Sequence, residues 1–298
     1  MALPETKKGE LHVFAGSIIW AVFPVTVVLS YAMLPSLMSL AASTALAALF
    51  FAGVITTRRK WKELADFRLW KLSLAATLFI GVAFYGLYFL GLETTSPGNA
   101  AIIVLFEVFT SFVFFRLFKE ERLSPNYLLG AILMVIGAVI VLGRNFTGVH
   151  PGDFIILAAT LFTPIGNFYQ QEARQIASAE SLMFLRSLFS APLLFAIAFI
   201  LGQRTSVEAV FSVGLFLIIN GVLMLGLSKL FWIEAIHRIS VTKATALSSI
   251  SPFFTLLIAW AILAQAPTLW QIGSLIPFTV GVLLLTDQLS FRRLSANP

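Results

Sequence analysis

Long apolar segments recur along this chain, and they constrain its fold more than any other feature of the sequence. Each has close to the roughly 20 residues that an α-helix needs to cross the hydrocarbon core of a bilayer. Lipid offers the backbone no hydrogen-bond partners, so each segment that enters it must be helical. The segments span 11–32, 36–56, 71–92, 98–118, 125–143, 152–172, 179–201, 211–236, 242–264 and 269–288. The sequence therefore predicts an all-α integral membrane protein with ten transmembrane helices.

The composition excludes an ordinary soluble fold. Of the 298 residues, 59% are hydrophobic and 11% are charged, whereas a soluble domain has about 25% charged residues. The chain has no cysteine, which excludes disulfides, thiolate metal sites and cysteine nucleophiles. The basic residues lie between apolar segments rather than in an aromatic-rich basic patch, so we expect no nucleic-acid partner. The first apolar run is too long for the apolar part of a signal peptide and is interpreted as a retained membrane helix.

Lysine and arginine are distributed unevenly between the two sides of the predicted bundle. With a cytoplasmic N-terminus, the outer loops hold only Arg144 and Arg204. The inner segments then hold Lys7, Lys8, Arg58, Arg59, Lys60, Lys62, Arg68, Lys71, Lys119, Arg122, Arg174, Arg238, Lys243, Arg292 and Arg293. Positive residues favour the cytoplasmic side of a membrane. We therefore expect a multi-pass protein of the cell inner membrane with both termini in the cytoplasm.

The two halves of the chain are similar to each other at an offset of about 140 residues. Phe23-Pro24 corresponds to Thr163-Pro164, and "LGAILMVIGAVIVL" at 129–142 corresponds to "IGSLIPFTVGVLLL" at 272–285. The repeats are predicted to be residues 1–148 and 149–298, with five helices each. Because five is an odd number, the second repeat must enter the membrane inverted. Inverted repeats of this kind recur in transporters, with the binding site near the midplane between them.

Three motifs carry a resemblance to a known family. They are "KEERLS" at 119–124, "SLMFLRSLFSAP" at 181–192 and "ATALSSISPFFTLLIAW" at 244–260. In this order, on ten helices with short loops, they resemble the drug/metabolite transporter superfamily in its EamA-type branch. The aromatic-rich helices are similar to those of YddG-type exporters of aromatic amino acids and methyl viologen. The resemblance implies a secondary transporter working by alternating access. It also implies a central cavity between the first, third, fourth, sixth, eighth and ninth helices, with the fifth and tenth as peripheral braces.

Glu107, Arg186 and Lys229, with Glu234 as a further candidate, are ionisable residues deep inside predicted helices, where a charge is costly and marks a cavity or a partner. Lys229 interrupts the apolar run 210–236; it is either tied to a carboxylate or to helix carbonyls, or it attracts the carboxylate of a substrate. Glu107 either binds an amino group or a proton, or it is a neutral hydrogen-bonded packing residue. Arg186 lies near the inner end of its helix and is interpreted as snorkelling to the headgroups or bracing a helix end.

Aromatic and polar residues complete the predicted site. Tyr85 and Tyr88 are three residues apart and share a helix face, and Tyr169 is a further aromatic candidate. The Ser-Ser-x-Ser-Pro segment that ends at Pro252 offers hydroxyls and a carbonyl freed by the proline, or it is a kink without further role. The predicted substrate-binding residues are Trp20, Pro24, Tyr85, Tyr88, Glu107, Thr163, Asn167, Lys229, Trp232, Ser248, Ser251 and Pro252.

Other classes of function need residues that this sequence does not group together. An enzyme requires convergent acid, base, nucleophile or metal groups, but His12, His150 and His237 all lie at helix ends. We expect no catalytic residue, metal or cofactor. The predicted function is export of amino acids, aromatic or other apolar ones over a broad range. Export of other small metabolites or cationic drugs is the alternative, and an intramembrane enzyme has less support. The expected partners are the amino acids and the lipid bilayer; a monomer and a weak homodimer both stay open.

Overall fold

The chain folds into a bundle of helices, seen in a computed structural model that describes residues 4–119, 125–143, 150–285 and 289. Throughout these residues the regular structure is helical, which confirms the all-α prediction. Seven helices in the described part are long and apolar enough to cross a membrane. The chain is therefore a multi-pass membrane protein, while the count of ten spans and their inverted arrangement stay predictions.

Each of the ten predicted runs corresponds to helical structure, numbered α1 to α10. These helices are α1, Glu5–Ser30; α2, Ser36–Arg58; α3, Phe67–Leu92; α4, Pro97–Leu117; α5, Pro125–Gly143; α6, Pro151–Ala159 followed by Thr163–Ala173; α7, Ala179–Ile200; α8, Gly214–Arg238; α9, Lys243–Leu263; and α10, Leu269–Leu285. A one-turn helix, Trp61–Ala65, precedes α3, and a short helix, Val207–Ser212, precedes α8. The helices α5, α6 and α10 are not among the seven that are long and apolar enough to cross a membrane within the described residues.

Three helices are broken where a proline opens a new helical piece. Pro24 in α1, Pro164 in α6 and Pro252 in α9 are each the second residue of such a piece. Proline has no backbone N–H, so a carbonyl in the preceding turn loses its usual partner. These breaks place unpaired backbone carbonyls in the interior of the bundle, where they must find other donors.

Threonine side chains donate to carbonyls at two of these breaks, across the two halves of the chain. Thr255 in α9 donates its hydroxyl to the carbonyl of Ala21 at the break in α1, at 2.8 Å. Thr110 in α4 donates to the carbonyl of Thr160 at the break in α6, also at 2.8 Å. Both threonines are buried. The breaks in α1 and α6 are therefore each held by a helix from the other half, and the two contacts correspond in the predicted repeat.

Two helices contain long π-helical stretches, a form that is rare and concentrated at functional sites. The stretch Thr77–Phe84 in α3 ends directly before Tyr85, and the stretch Ile219–Ser228 in α8 ends directly before Lys229. A π turn holds more residues than an α turn, so it rotates the side chains that follow about the helix axis. Both stretches thereby set the direction of residues that the sequence places in the site.

The helices α5 and α10 pack closely against each other. A Cβ added at Gly137 would lie 2.7 Å from the Phe278 ring, and one added at Gly281 would lie 2.9 Å from the carbonyl oxygen of Gly130. Such small residues let two helix backbones approach in lipid, where packing rather than hydrophobic burial holds helices together. This pair forms a compact unit at the side of the bundle.

Candidate functional site

A cavity lies in the interior of the bundle between α1, α3, α4, α6, α8 and α9. The helix α7 also reaches it, through the single residue Arg186. Within the described residues, α5 and α10 contribute nothing to its lining. The cavity therefore lies among the helices that carry the breaks and the π-helical stretches.

All twelve predicted site residues line this one cavity. They are Trp20 and Pro24 on α1, Tyr85 and Tyr88 on α3, Glu107 on α4, Thr163 and Asn167 on α6, Lys229 and Trp232 on α8, and Ser248, Ser251 and Pro252 on α9. The structure thus brings together residues from six helices that lie far apart in sequence. Their part in binding a substrate stays a prediction.

The Lys229 ammonium lies over the face of an aromatic ring. Its Nζ is 3.3 Å from the centre of the Trp20 ring and 5.9 Å from the centre of the Tyr85 ring. Among the described residues, no carboxylate lies within 4.0 Å of this nitrogen, and it donates no hydrogen bond to a helix carbonyl. A cation on a ring face gains about 0.5–2 kcal/mol, but the ring carries no net negative charge that would neutralise the ammonium. The described residues thus show no hydrogen bond or ion pair of Lys229 with a carboxylate or a helix carbonyl, and whether this lysine has a structural role or binds a substrate stays a prediction.

A chain of hydrogen bonds crosses the cavity from α4 to α7. Asn167 donates from Nδ2 to the Glu107 carboxylate at 3.2 Å, and its Oδ1 accepts from Gln170 Nε2 at 2.9 Å. The Oδ1 of Asn167 also accepts from the Trp232 indole at 3.0 Å. Gln170 in turn accepts at Oε1 from Arg186 Nη1 at 2.8 Å. The donors fix the orientation of the Asn167 amide, and that amide fixes the Glu107 carboxylate.

Arg186 does not snorkel to the headgroups, so that interpretation is wrong. The residue is 4% exposed, and its guanidinium lies with Cζ 5.8 Å from the centre of the Tyr85 ring. Its carbonyl accepts hydrogen bonds from Thr77 of α3 and Ser190 of α7. These contacts orient α7 so that the face with Arg186 points into the bundle. The neutral amide of Gln170 then holds the guanidinium inside the cavity.

Sequence reasoning missed Gln170 and Arg186 as cavity residues. A signal for Gln170 is present, because Thr163, Asn167 and Gln170 have the spacing of one helix face. For Arg186 the depth in the membrane does not tell whether the side chain points inward or outward. In contrast, Tyr169 was an aromatic candidate but does not line the cavity; its ring stacks on Phe79, with centroids 6.1 Å apart.

Aromatic rings form much of the remaining lining. The centroids of Trp20 and Tyr85 are 6.2 Å apart in an edge-on arrangement. Tyr88 stacks on Phe23 at 6.0 Å and lies 5.8 Å from Phe84. Aromatic pairs of this kind contribute about 0.5–1.5 kcal/mol beyond their buried area. The rings thus support one another and present flat apolar surface to a solute.

The serines of α9 hold α1 in place. The Ser251 hydroxyl donates to the carbonyl of Ser17 at 3.2 Å, next to the contact of Thr255 with α1. Ser248 donates to the carbonyl of Thr245 within α9 at 2.7 Å. The proline-containing segment is therefore a kink in which the hydroxyls of Ser248 and Ser251 are hydrogen-bonded, and Ser248, Ser251 and Pro252 line the cavity.

Polar contacts join helices at both ends of the bundle. At the end that holds the N-terminus, Glu5 pairs with Arg238 at 3.0 Å, and Glu10 pairs with Lys243 at 2.7 Å. These pairs join α1 to α8 and to the start of α9. At the opposite end, buried Asp153 accepts from Thr95 and Asn99, and Asn99 accepts from Gln271 at 2.8 Å. Helices from the two halves therefore meet through polar groups above and below the cavity.

The sequence matches a known transporter family twice. Residues 7–143 and residues 150–287 each match the EamA-like transporter family. The chain belongs to this family. The match covers almost the whole sequence, so the expected resemblance to EamA-type drug/metabolite transporters is confirmed. The narrower similarity to YddG-type exporters and the repeat boundaries stay predictions.

Two further similarities were found, one to a curated protein and one to a solved structure. The chain is similar to "Uncharacterized transporter YoaV" of Bacillus subtilis (strain 168), with 19% identity over 221 residues, 73% of this chain and 76% of that protein. It is also similar to a solved structure described as "Crystal structure of protein", with a TM-score of 0.73 and 18% identity. That likeness covers 95% of this chain and 98% of the other. At such identity the structural likeness supports the fold alone.

Proposed function

We propose that this EamA-like transporter exports amino acids with aromatic or other apolar side chains, by alternating access through the cavity. The observation that carries the proposal is the Lys229 ammonium. It lies on the Trp20 ring, and the described residues place no carboxylate within 4.0 Å of it. A positive charge held in an apolar bundle without an anion favours a ligand that brings one. The carboxylate of an amino acid is such a group.

The other charges and surfaces of the cavity support the same ligand. Glu107 lies in the lining, where its carboxylate accepts a hydrogen bond from Asn167. The carboxylate can accept further hydrogen bonds, so it can also bind the ammonium group of a ligand. The rings of Trp20, Tyr85 and Tyr88 offer apolar surface for the side chain of the ligand. Flat surface of this kind adapts to several side chains better than fixed hydrogen bonds do. The proposed range is therefore broad, and it extends from aromatic to other apolar amino acids.

Alternating access is proposed from the family and from the breaks in the helices. Ion pairs close one end of the bundle and amide and carboxylate contacts close the other. Both sets are present in this structure, and in the proposed cycle they break one at a time, so that the cavity opens to one side and then to the other. The location in the cell inner membrane and the cytoplasmic position of both termini are proposed from the distribution of lysine and arginine. The family is one of transporters, and we propose no catalytic role for the cavity.

Counterflow in proteoliposomes tests the proposal. Purified protein is reconstituted into liposomes loaded with unlabelled phenylalanine, and uptake of labelled phenylalanine, leucine, lysine or phenethylamine is followed. We expect phenylalanine and leucine to accumulate transiently above the level in protein-free liposomes, and lysine to stay at that level. Analysis of the recovered solutes separates transport from chemistry, because a transporter returns them unchanged. Equal signals with and without protein would refute the proposal.

A further inference from the structure

The charges that line the cavity do not balance. Among the described lining residues, Lys229 and Arg186 are cationic side chains and Glu107 is the single carboxylate. His12 is the remaining titratable nitrogen base and lies at the edge of the cavity, at the start of α1. With Glu107 ionised, the interior thus carries one positive charge more than negative charges.

Neither cation is paired with a carboxylate within the described residues. The guanidinium of Arg186 donates to Gln170, whose side chain is a neutral amide. The ammonium of Lys229 lies on the Trp20 ring. Glu107 is held by Asn167 instead of by either cation. The neutral amides of α6 therefore separate the acid from the arginine and leave both positive groups available to a ligand.

The two cations face one aromatic ring. The Cζ of Arg186 is 5.8 Å from the centre of the Tyr85 ring, and the Nζ of Lys229 is 5.9 Å from the same point. An anionic group that binds beside Tyr85 is therefore attracted by both. Guanidinium and carboxylate also match each other in geometry, with two parallel hydrogen bonds. The remaining body of such a ligand meets the rings of Trp20 and Tyr88.

The net charge of a ligand then decides how well it fits. An unpaired charge in a low-dielectric interior is costly, and an anion relieves that cost. A zwitterion brings one charge of each sign, so the cavity keeps its excess positive charge. A cationic ligand increases that excess. A cavity with charges of one sign also concentrates solutes of the opposite sign.

We propose that the cavity binds aromatic and other apolar monocarboxylates of net charge −1, which lack the amino group, more tightly than the zwitterionic amino acids with the same body. The carboxylate lies beside Tyr85 between Lys229 and Arg186. Amines with the same body are excluded. This inference rests on the proposed function, because it takes the cavity as the substrate site, and it names the class of solute that the site prefers.

Equilibrium binding to the full-length protein in lipid nanodiscs tests this preference without interference from passive leakage of weak acids. The probes are 3-phenylpropionate, phenylalanine and phenethylamine at pH 7, which share one aromatic body. Binding is measured by titration calorimetry. We expect 3-phenylpropionate to bind about tenfold more tightly than phenylalanine, and phenethylamine not to bind. If phenylalanine binds as tightly as 3-phenylpropionate or more so, the inference is wrong while the proposed function stands. If neither binds, both fail.

Variants of Arg186 separate an effect of its charge from a structural one. Arg186→Met should weaken binding of 3-phenylpropionate about tenfold and that of phenylalanine less. Arg186→Lys should retain most of the affinity for 3-phenylpropionate, because it keeps the positive charge. Arg204→Met makes the same change in an exposed loop and should alter neither affinity. An equal loss for both ligands in Arg186→Met would contradict the inference. If Arg186→Met does not fold, the inference is tested by the unmodified protein alone, through its affinities for 3-phenylpropionate and phenylalanine.

Discussion

Replacement of Lys229 by methionine removes the central charge of the proposed site with little change of shape. Methionine has about the length of lysine and packs favourably on aromatic rings, at about 0.3–1.5 kcal/mol. It can therefore keep the place on the Trp20 ring that the ammonium now occupies at 3.3 Å. Removal of an unpaired charge from the interior of a membrane protein lowers a cost of folding. We expect Lys229→Met to be at least as resistant to heat in detergent as the unmodified protein.

The expected effect on binding follows from the contact that is lost. A hydrogen bond between an ammonium and a carboxylate contributes about 1.5–3 kcal/mol. Because each 1.4 kcal/mol is a factor of ten, Lys229→Met should weaken phenylalanine binding by about 10- to 150-fold. A cationic solute without a carboxylate does not use this contact. Lys229→Met should therefore not weaken binding of phenethylamine, and it should allow some binding where repulsion by the ammonium excludes this amine.

Initial rates of phenylalanine counterflow over a range of concentrations measure this effect. The half-saturating concentration should rise while the amount of reconstituted protein stays equal. Lys71→Met is a matched control, since Lys71 also lies near a ring, 5.2 Å from the centre of Phe67, but is exposed and outside the cavity. Its transport should be unchanged. An unchanged half-saturating concentration for phenylalanine in Lys229→Met, or an equal rise in Lys71→Met, would refute the role of Lys229 in binding a carboxylate.

Two further predictions concern stability, both measured as the thermal midpoint of the purified protein in detergent. Burial raises the pKa of Glu63, but hydrogen bonds from Ser178 outweigh it and lower the pKa to about 2. Because the pKa in the folded protein lies below the ordinary value, Glu63 stabilises the fold above about pH 4.5 and loses this effect as the pH falls toward 2. Glu63→Gln should thus lower the midpoint at pH 7 and not near pH 2; a difference independent of pH would contradict this. Gly281→Ala should destabilise by about 1–3 kcal/mol, because its Cβ would lie 2.9 Å from a carbonyl of α5. Gly273→Ala meets nothing within 4 Å and should be neutral; equal midpoints for the two alanine variants would show that α5 and α10 are not tightly packed.

The membrane class and the residues of the cavity could be predicted from the sequence for one physical reason. Polar groups are costly in lipid, so a lysine or glutamate within an apolar run must face the interior. Lys229 and Glu107 were found in this way. The prolines were equally informative, because Pro24, Pro164 and Pro252 cannot donate a backbone hydrogen bond and so mark breaks. Buried polar residues and prolines are both visible in the sequence, so the inward-facing residues and the helix breaks could be predicted without the structure.

Other features depend on contacts that no local pattern reveals. The π-helical stretch Thr77–Phe84 is uniformly apolar except for its first residue, so its periodicity does not distinguish i+5 from i+4 hydrogen bonding. The inward direction of Arg186 depends on Gln170 of another helix. Tyr169 has the depth of a cavity residue but lies on Phe79. In each case the sequence gives the position of the residue along its helix. The direction in which its side chain points depends on packing between helices.

Protection of a single cysteine by substrate tests the central claim, that this cavity is where the transported solute binds. The natural chain has no cysteine, so Ser248→Cys places the one thiol of the protein in the cavity lining. Ser212→Cys places it on an exposed helix outside the cavity as a control. The rate of labelling by a hydrophilic maleimide is measured with and without saturating phenylalanine. We predict that phenylalanine slows labelling of Ser248→Cys several-fold and leaves that of Ser212→Cys unchanged. Unchanged labelling of Ser248→Cys, in a variant that still transports phenylalanine, would contradict the account.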